Sequence, residues 1–491
     1  MSQISVYFSI ATIAFTLYYV TYNVLFLVIL IRASTNITDD LRWPVAPILA
    51  ATFANPLTPK VSIVVPAHNE EAGIIQAVEA LQNLRYPSVE IIVIDDGSTD
   101  RTFELLERAH GLKPTHVSAG EQITQIGETI GIYSAPAANL IVLRKRSVGR
   151  RSDAINAGLR IASNELVCMI DGDSLLEPDA LLRVVIPFLD DPTVVGAGGV
   201  VRPSNGARVS RGRIMSLGMA ASFIERIQIV EYLRAFLVGR AGWSSLNGLM
   251  IISGAFGLFR RDAVLAVGGL DPESLAEDAD LVVALHKYFR DRRQPYKIVF
   301  VPEPVCWTEV PASVAVLGRQ RTRWSQGLGE LLSKNAGMIG NPKYRFLGII
   351  TLPFFLSFEF LGPVVGLLGL IVSVIGVVLG LIPTTLFFVF LAASLGLSTL
   401  TSLASLLIEE IAFRSYPRFR HVIDLLMATA LEPFGYYQLH SWWRLKGMYY
   451  ALRRHRSEWG AMTRTGFAVE QPLDKPVGDG PASAVEPKSP E

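Results

Sequence analysis

The chain contains 491 residues, of which half are hydrophobic and 18% are charged, and its formal net charge is +1. This composition is too apolar for an ordinary soluble protein and predicts membrane spans beside a soluble domain. A near-neutral charge offers no concentrated basic face, so no nucleic-acid partner is expected. The two cysteines, Cys168 and Cys306, are too few for a disulfide framework or a zinc site, and we interpret both as buried thiols in a reducing compartment.

The N-terminal stretch is uncharged: residues 1–31 carry no ionisable side chain other than tyrosine, and the first charge is Arg32. An apolar stretch of this length is sufficient to cross a bilayer once. A cleaved signal peptide would have a basic start and a shorter apolar core, so we predict a retained transmembrane helix. Residues 32–59 contain four prolines and are interpreted as a linker.

A different pattern begins at Lys60, where short β-branched and apolar runs alternate with helical segments. The predicted strands cover residues 61–66, 89–94, 140–143, 167–170, 194–201 and 297–301. Alternating strands and helices predict parallel βαβ units, so residues 60–340 are predicted to form one α/β domain. Residues 111–139 show no firm period and are interpreted as a loop with a weak strand.

Acidic pairs follow three of the predicted strand or loop ends: Asp95 and Asp96, Asp171 and Asp173, Glu277 and Asp278. The carboxyl ends of parallel strands meet at one edge of a sheet, where α/β proteins bind their ligands. Asp171 and Asp173 could supply hard oxygen ligands for a divalent cation that also binds the phosphates of a nucleotide. Taken alone, the same pair is equally consistent with an acidic turn.

Other side chains have the chemistry to complete a transfer site if these segments converge. Asp95 or Asp96 could accept hydrogen bonds from a nucleobase or a ribose, and Asp278 could be a general base for an acceptor hydroxyl. Arg323 could offset charge on a departing diphosphate, and Trp324 could stack on a sugar ring.

The longest apolar region lies within residues 341–440, where Glu359 is the one charge between positions 346 and 408. Two spans fit into it, over residues 348–378 and 384–408. Basic residues flank the region on both sides, which favours cytosolic ends and an even number of crossings. The sequence leaves open whether residues 422–439 cross the bilayer or lie at its interface.

The C-terminal end changes character twice. Residues 441–468 are basic and aromatic, which suits the cytosolic membrane surface. Residues 469–491 are rich in proline and have no hydrophobic pattern to pack, so we predict a disordered tail.

Five short motifs occur in an order that resembles membrane-bound family 2 glycosyltransferases. They are Pro66-Ala-His-Asn-Glu70, Asp95-Asp-Gly-Ser98, Asp171-Gly-Asp173, Glu277-Asp278 and Gln320-Arg-Thr-Arg-Trp324. Each motif alone is weak, but five in order between predicted membrane helices are a specific signal. In layout the chain is similar to the processive synthases of poly-N-acetylglucosamine, chitooligosaccharides, hyaluronan and cellulose.

The resemblance implies a GT-A domain, which is an α/β nucleotide-sugar-binding fold similar to the Rossmann fold, flanked by N-terminal and C-terminal transmembrane helices. It implies a multi-pass plasma-membrane protein with a cytosolic catalytic domain, a UDP-linked sugar donor, and Mg²⁺ or Mn²⁺. By position, the resemblance assigns binding of the sugar donor to Glu70, Asp95, Asp96, Arg151 and Asp171. It assigns binding of the metal to Asp173 and the role of catalytic base to Asp278. Contacts with the acceptor and the diphosphate are assigned to Gln320, Arg323 and Trp324.

One motif departs from the family pattern. Arg151-Ser-Asp-Ala-Ile-Asn-Ala-Gly158 resembles a family loop that more commonly begins with lysine. Arginine keeps the positive charge but presents a planar fork of donors instead of a single ammonium group. The contact that this residue makes with a diphosphate is therefore expected to differ from the family pattern.

The resemblance implies an inverting transferase that moves a hexose or N-acetylhexosamine from a UDP-sugar to a growing polysaccharide at the cytosolic face and is coupled to export. Among the possible products it favours an N-acetylglucosamine polymer. Accessory export subunits would be compatible with this layout. Two alternatives are a non-processive transferase that acts on a glycolipid acceptor and a membrane scaffold whose transferase domain has lost activity. The intact motifs argue against the scaffold.

Overall fold

A computed structural model describes residues 3–40, 45–172, 174–210, 213–413, 416 and 418–455. Two predictions fall outside these residues. One is the assignment of Asp173 as a metal ligand, and the other is the disordered tail at 469–491.

The described strands form a ten-stranded mixed sheet and a separate hairpin. The strands are β1 (Val61–Ala67), β2 (Val89–Asp96), β3 (Lys113–Pro114), β4 (Thr129–Ala135), β5 (Leu140–Lys145), β6 (Leu166–Ile170), β7 (Leu175–Leu176), β8 (Val194–Pro203), β9 (Arg208–Ser210), β10 (Arg213–Ser216), β11 (Phe256–Arg260) and β12 (Lys297–Thr308). The large sheet has the order β3-β4-β5-β2-β1-β6-β11-β8-β12-β7, and β9 pairs with β10.

Helices cover both faces of the sheet and continue into the apolar regions. They are α1 (Gln3–Asp40), α2 (Val45–Ala54), α3 (Ile74–Gln82), α4 (Thr102–His110), α5 (Arg151–Ile161), α6 (Ala180–Asp190), α7 (Phe223–Tyr232), α8 (Arg240–Ser245), α9 (Arg261–Ala266), α10 (Glu277–Asp291), α11 (Val314–Lys334), α12 (Leu352–Phe354), α13 (Gly362–Val378), α14 (Thr384–Leu391), α15 (Leu397–Ala412), α16 (Phe419–Leu431) and α17 (Tyr436–Leu452). Wider π-helical turns lie at Leu233–Gly239, Leu347–Thr351, Phe355–Phe360 and Ala392–Gly396.

The central strands are parallel, as the alternating pattern predicts. Strands β5, β2, β1 and β6 run in one direction. Such strands are apolar on both faces, since both faces are covered by other elements. In β1, Ile63 and Val65 belong to one hydrophobic core, and Val64 belongs to the other. Strand β11 was not foreseen from the sequence, and it pairs antiparallel with both β6 and β8.

Helix α5 packs unusually closely on the sheet at Gly158. A Cβ atom at this position would lie 2.6 Å from Cγ1 of Val64 and 2.7 Å from Cδ1 of Ile94. Both contacts are shorter than van der Waals packing allows, so the sheet accepts only glycine here without moving. The close approach brings the N-terminal end of α5, where Arg151 lies, over the ends of the parallel strands.

The region predicted as a linker is largely helical. Helix α1 continues past the apolar stretch to Asp40, and α2 occupies part of the remainder. Ala33 and Ile37 of α1 are buried in the same core as the sheet. This part of α1 is therefore a packed extension of the N-terminal helix, because Ala33 and Ile37 face the α/β domain instead of solvent.

Among the described residues, two helical stretches are long and apolar enough to cross a membrane, Gln3–Thr35 and Thr384–Ala412. A third candidate is the pair Leu347–Phe360 and Gly362–Val378, which bends by 47° at its junction. These stretches overlap the predicted spans at 348–378 and 384–408. The segment at 422–439 is divided between α16 and α17, and neither helix is among the candidate spans.

Two ion pairs, one of them fully buried, connect the C-terminal helices to the α/β domain. Arg202 of β8 donates to Glu409 of α15 at 2.8 Å, and both side chains are almost fully buried. Arg234 makes a two-pronged contact with Glu432, at 2.9 and 3.1 Å. Glu409 and Glu432 thereby each have a cationic partner from the α/β domain.

Helix α17 lies against α11 instead of forming a free surface segment. Gly447 and Gly318 allow the approach, since a Cβ on Gly447 would collide with the carbonyl oxygen of Thr322. Ser325 Oγ donates to the carbonyl oxygen of Arg444 at 2.9 Å. The part of 441–468 that the structure describes thus supports the helix that carries Gln320, Arg323 and Trp324.

Replacing Gly158 with alanine should destabilise the protein by about 1–3 kcal/mol, because the added methyl group overpacks a core that has no space for it. Thermal unfolding of the purified protein in detergent measures this change. Gly337→Ala is the matched control, since no atom lies within 4 Å of the corresponding Cβ position. An equal effect of the two substitutions would contradict the packing argument.

Candidate active site

One large cavity, of about 1460 Å³, collects nearly all the residues that the motifs single out. Its lining includes Glu70, Asp96, Arg151, Asp171, Asp278, Gln320, Arg323 and Trp324. The cavity lies at the carboxyl edge of the parallel strands and extends between the apolar helices as far as Tyr18 and Ser398. Of the predicted site residues that the structure describes, Asp95 does not line it.

The end of β2 is held by charged neighbours on β5. Asp95 is 1% exposed, accepts from the backbone N–H of Ser98 at 3.0 Å and pairs with Arg144 at 3.2 Å. Asp96 accepts from Lys145 at 2.6 Å and from the Ser147 hydroxyl at 3.0 Å. Asp96 therefore faces the cavity with its position fixed, while Asp95 supports the loop beneath it.

Sequence reasoning missed Lys145, which is completely buried. Its ammonium group lies between Asp96 and Asp153, at 2.6 and 2.8 Å. Asp153 also accepts the backbone N–H groups of Ile126 and Gly127. The available signal was the basic stretch 144–151, but the partners of each basic residue depend on which strands are neighbours.

The loop after β1 is joined to the loop after β2. Asn69, at φ 56°, accepts from the N–H of Thr99 at 2.8 Å, and its own N–H donates to the Ser98 hydroxyl at 3.0 Å. The N–H of Glu70 donates to the Thr102 hydroxyl at 2.9 Å. These bonds hold Glu70 at the cavity wall, with a carboxylate oxygen 4.0 Å from the Cβ position of Gly172.

Arg151 connects two sides of the cavity. Its Nε donates to Asp171 at 2.6 Å, Nη1 to Glu277 at 3.2 Å, and Nη2 to the carbonyl oxygen of Gly254 at 2.8 Å. Burial opposes its charge, but Asp171 and Glu277 outweigh that effect and raise the pKa of Arg151. The guanidinium is therefore permanently charged and oriented by three protein groups.

Glu277 and Asp278 begin helix α10 on the opposite wall. Both oxygens of Asp278 accept backbone N–H groups, from Gly254 at 3.1 Å and from Ala279 at 2.8 Å. Burial raises the pKa of Glu277, Arg151 acts in the opposite direction, and the carboxylate of Asp278 adds to the increase. Asp278 is thus fixed by the backbone and lies at the cavity.

Helix α11 presents the Gln-x-x-Arg-Trp side chains to the same cavity. Trp324 is 38% exposed, and the guanidinium of Arg321 lies 4.3 Å from its ring centroid. Arg321 in turn donates to Glu231 of α7 at 2.6 Å. Oε1 of Gln320 is buried and, within the described residues, has no hydrogen-bond partner, so it is available to a ligand.

Arg240 is a second residue that the motifs did not identify. It lines the cavity from α8, and its guanidinium lies 3.7 Å from the ring centroid of Phe236. Burial lowers the pKa of Arg240 to about 10, with Asp278 opposing the change. Its Nη1 is buried and finds no hydrogen-bond acceptor among the described residues, so it can bind an oxygen of a ligand.

The side chains at the end of β6 suit a hard cation. The carboxylate of Asp171 is 32% exposed, and Glu70 lies nearby across Gly172. Carboxylate oxygens are the ligands that Mg²⁺ and Mn²⁺ prefer. No cluster of three or more metal-binding side chains occurs within the described residues, which do not include Asp173.

The sheet order, the acidic edge and the α11 layer define a GT-A fold. A mannosyltransferase from Pyrobaculum calidifontis, solved with GDP-Man and Mn²⁺, has a similar structure, with a TM-score of 0.51 and 18% sequence identity. The match covers 91% of this chain and all of that one. The fold class predicted from the sequence is confirmed.

The chain belongs to the family described as "Glycosyltransferase like family 2", whose profile matches residues 59–327. It is 28% identical over 272 residues to a probable glycosyltransferase of Bacillus subtilis, over 55% of each chain. It is 27% identical over 277 residues to a poly-beta-1,6-N-acetyl-D-glucosamine synthase of Staphylococcus epidermidis, over 56% of each chain. The chain therefore spans about half the length of these curated relatives. The predicted family membership is confirmed.

Helix α10 should lose support on acidification through His286. This side chain is fully buried. Its Nε2 donates to the carbonyl oxygen of Leu249, and its Nδ1 accepts from the Tyr296 hydroxyl. An imidazole with one donor and one acceptor nitrogen is neutral. Burial lowers the pKa of His286 to about 4 from its ordinary value of 6.5. Stability is then complete above pH 6.5 and falls by about 3 kcal/mol as the pH drops to 4.

Unfolding in detergent at pH 7 and at pH 4.5 tests this expectation. His286→Gln keeps an amide donor but does not titrate, so this variant should lose less stability between the two pH values than the original protein. Equal losses in the two proteins would show that other groups cause the acid sensitivity.

Proposed function

We propose that this protein transfers a hexose or N-acetylhexosamine from a nucleotide sugar to a glycan, with inversion at the anomeric carbon. The observation that carries the proposal is the large cavity, which brings Asp171, Asp278 and Trp324 together from three separate parts of the chain. The chain belongs to a glycosyltransferase family, so we assign glycosyl transfer to this cavity.

In the proposed step, Asp278 receives the proton of an acceptor hydroxyl while the hydroxyl oxygen attacks the anomeric carbon. The bond from that carbon to the diphosphate breaks, and the nucleoside diphosphate leaves with the electron pair. One attack on the face opposite the leaving group inverts the configuration. The two backbone N–H groups that hold Asp278 support this role, because they orient the carboxylate without occupying the cavity.

The donor side of the proposal uses Asp96, Glu70 and the end of β6. We assign the nucleoside to the surface of Asp96 and the diphosphate to the region of Asp171, with UDP as the favoured nucleotide. Asp173 would hold Mg²⁺ or Mn²⁺, which supplies positive charge to the leaving diphosphate. We assign Arg151 to the orientation of Asp171 instead of direct contact with the diphosphate, because Nε, Nη1 and Nη2 each already donate to a protein group.

The acceptor side lies where Trp324, Gln320 and Arg240 meet the apolar helices. An aromatic face and unpaired amide and guanidinium groups are the types of contact that bind a sugar. The staphylococcal relative is named for N-acetylglucosamine polymer synthesis, which favours that product here. A processive enzyme at the cytosolic face of the plasma membrane could feed its polymer into the continuation of the cavity between the apolar helices.

A second candidate is a transferase that adds one or a few sugars to a lipid-linked acceptor. The lining of the cavity supports it, because Tyr22, Phe354 and Phe358 form an apolar wall that a lipid chain could contact. Purified protein supplied with radiolabelled UDP-GlcNAc, UDP-Glc or UDP-GlcA and either Mg²⁺ or Mn²⁺ distinguishes the two. Long products that a specific glycosidase digests support the polymerase, while short products extracted into organic solvent support the lipid acceptor.

Asp278→Asn should reduce transfer by about 10²–10⁴, because the amide keeps the shape of the side chain but cannot take the proton. Binding of UDP, measured by calorimetry, should be unchanged. Asp291→Asn, at the far end of the same helix, is the control and should keep normal activity. Normal polymer yield from Asp278→Asn would eliminate the proposed base.

A further inference from the structure

A second cavity, of about 650 Å³, lies away from the active site, between the β9–β10 hairpin and the N-terminal ends of α7 and α16. Its charged and titratable lining side chains are Arg208, Arg226, Arg418, Arg420, His421 and Asp424. We refer to it as the basic pocket. The motifs of the transferase family include none of these residues.

The basic pocket carries a surplus of positive charge. Among the described residues that line it, Asp424 is the one carboxylate, and it pairs with Arg226 at 3.4 Å. Within the described part of the chain, Arg418 and Arg420 are exposed and form no ion pair. Several guanidinium groups around one cavity are the arrangement that binds phosphate oxygens.

An unpaired group inside the pocket also points to a ligand. His421 is 2% exposed, and its Nδ1 is buried without a hydrogen-bond partner among the described residues. Burial lowers the pKa of His421, and the charges of Arg418 and Arg420 add to the decrease. A buried ring nitrogen is normally satisfied, so an oxygen atom of a bound group would complete this site.

The surroundings indicate that the pocket faces a bilayer surface. Helix α16 begins seven residues after the apolar stretch Thr384–Ala412 ends. Phe419, between Arg418 and Arg420, is 79% exposed, and Met215 on the hairpin is 67% exposed. Exposed apolar side chains beside arginines are typical of segments that rest on anionic membranes.

We propose that the basic pocket binds a phosphate group and that an anionic phospholipid headgroup supplies it. The guanidinium groups and Nδ1 of His421 bind the phosphate oxygens, and Phe419 and Met215 contact the acyl region.

Occupancy would also connect the bilayer to the active site. Helix α7 runs from the pocket to Glu231, which holds Arg321 beside Trp324. Helix α16 runs from the pocket to Glu432, which holds Arg234 at the catalytic cavity. A bound headgroup therefore stabilises the outer ends of two helices whose inner ends line that cavity.

The test uses the full chain in detergent and native mass spectrometry with phosphatidylglycerol or phosphatidylcholine as the added lipid. Arg418→Gln together with Arg420→Gln should weaken retention of phosphatidylglycerol at least tenfold and leave phosphatidylcholine unchanged. The control, Arg108→Gln together with Arg292→Gln, removes the same charge from exposed positions elsewhere and should behave like the original protein. Equal unfolding temperatures of the variants exclude a folding defect.

Two results would overturn the proposal. Equal retention of phosphatidylglycerol in all three proteins would show that the pocket does not bind the lipid, and equal loss in both double variants would show only a general charge effect. A parallel titration with inorganic phosphate, followed by ³¹P nuclear magnetic resonance, separates the sources. Phosphate binding that depends on Arg418 and Arg420, without any change in lipid retention, would reject the headgroup and assign the pocket to a free phosphate.

Discussion

The geometry of the active site depends on one buried guanidinium. Arg151 reaches Asp171 after β6, Glu277 at the start of α10 and the backbone ahead of β11, so it connects the proposed leaving-group side to the proposed base side. A lysine could neutralise one carboxylate but could not satisfy three groups in a plane. The rigid guanidinium of Arg151 therefore determines the separation of the two sides.

A second ionic network fixes the side of the cavity to which we assign the nucleoside. Lys145 lies between Asp96 and Asp153, so the end of β5 is connected to the end of β2 and to the first turn of α5. Since α5 also carries Arg151, the two networks share a helix, and Gly158 sets how closely that helix approaches the sheet. The packing of α5 and the geometry of the site are consequently not independent. A change in the distance between α5 and the sheet would move both Asp96 and Asp171.

The sequence predicted the parts of the fold that local pattern determines. Apolar runs identified β1, β2, β5 and β6, and the motifs at their ends identified side chains that the structure collects at one cavity, although the roles of those side chains stay predictions. Lys145, Arg240 and His286 could not be found in this way, because their importance comes from burial and from partners distant in sequence. The helical extension at 32–40 was misinterpreted since prolines further along suggested a linker, whereas Ala33 and Ile37 pack on the domain.

A buried acidic residue in the C-terminal helices would impose an order on biogenesis. Glu409 and Glu432 have their cationic partners, Arg202 and Arg234, in the α/β domain, which the ribosome completes first. Until that domain is folded, the carboxylate of Glu409, which lies in a candidate membrane span, would have no cationic partner, and its unpaired burial in a bilayer would cost several kcal/mol. Stable insertion of the candidate span Thr384–Ala412 would therefore follow the folding of the α/β domain, and a chain that fails to fold its sheet would leave Glu409 unpaired.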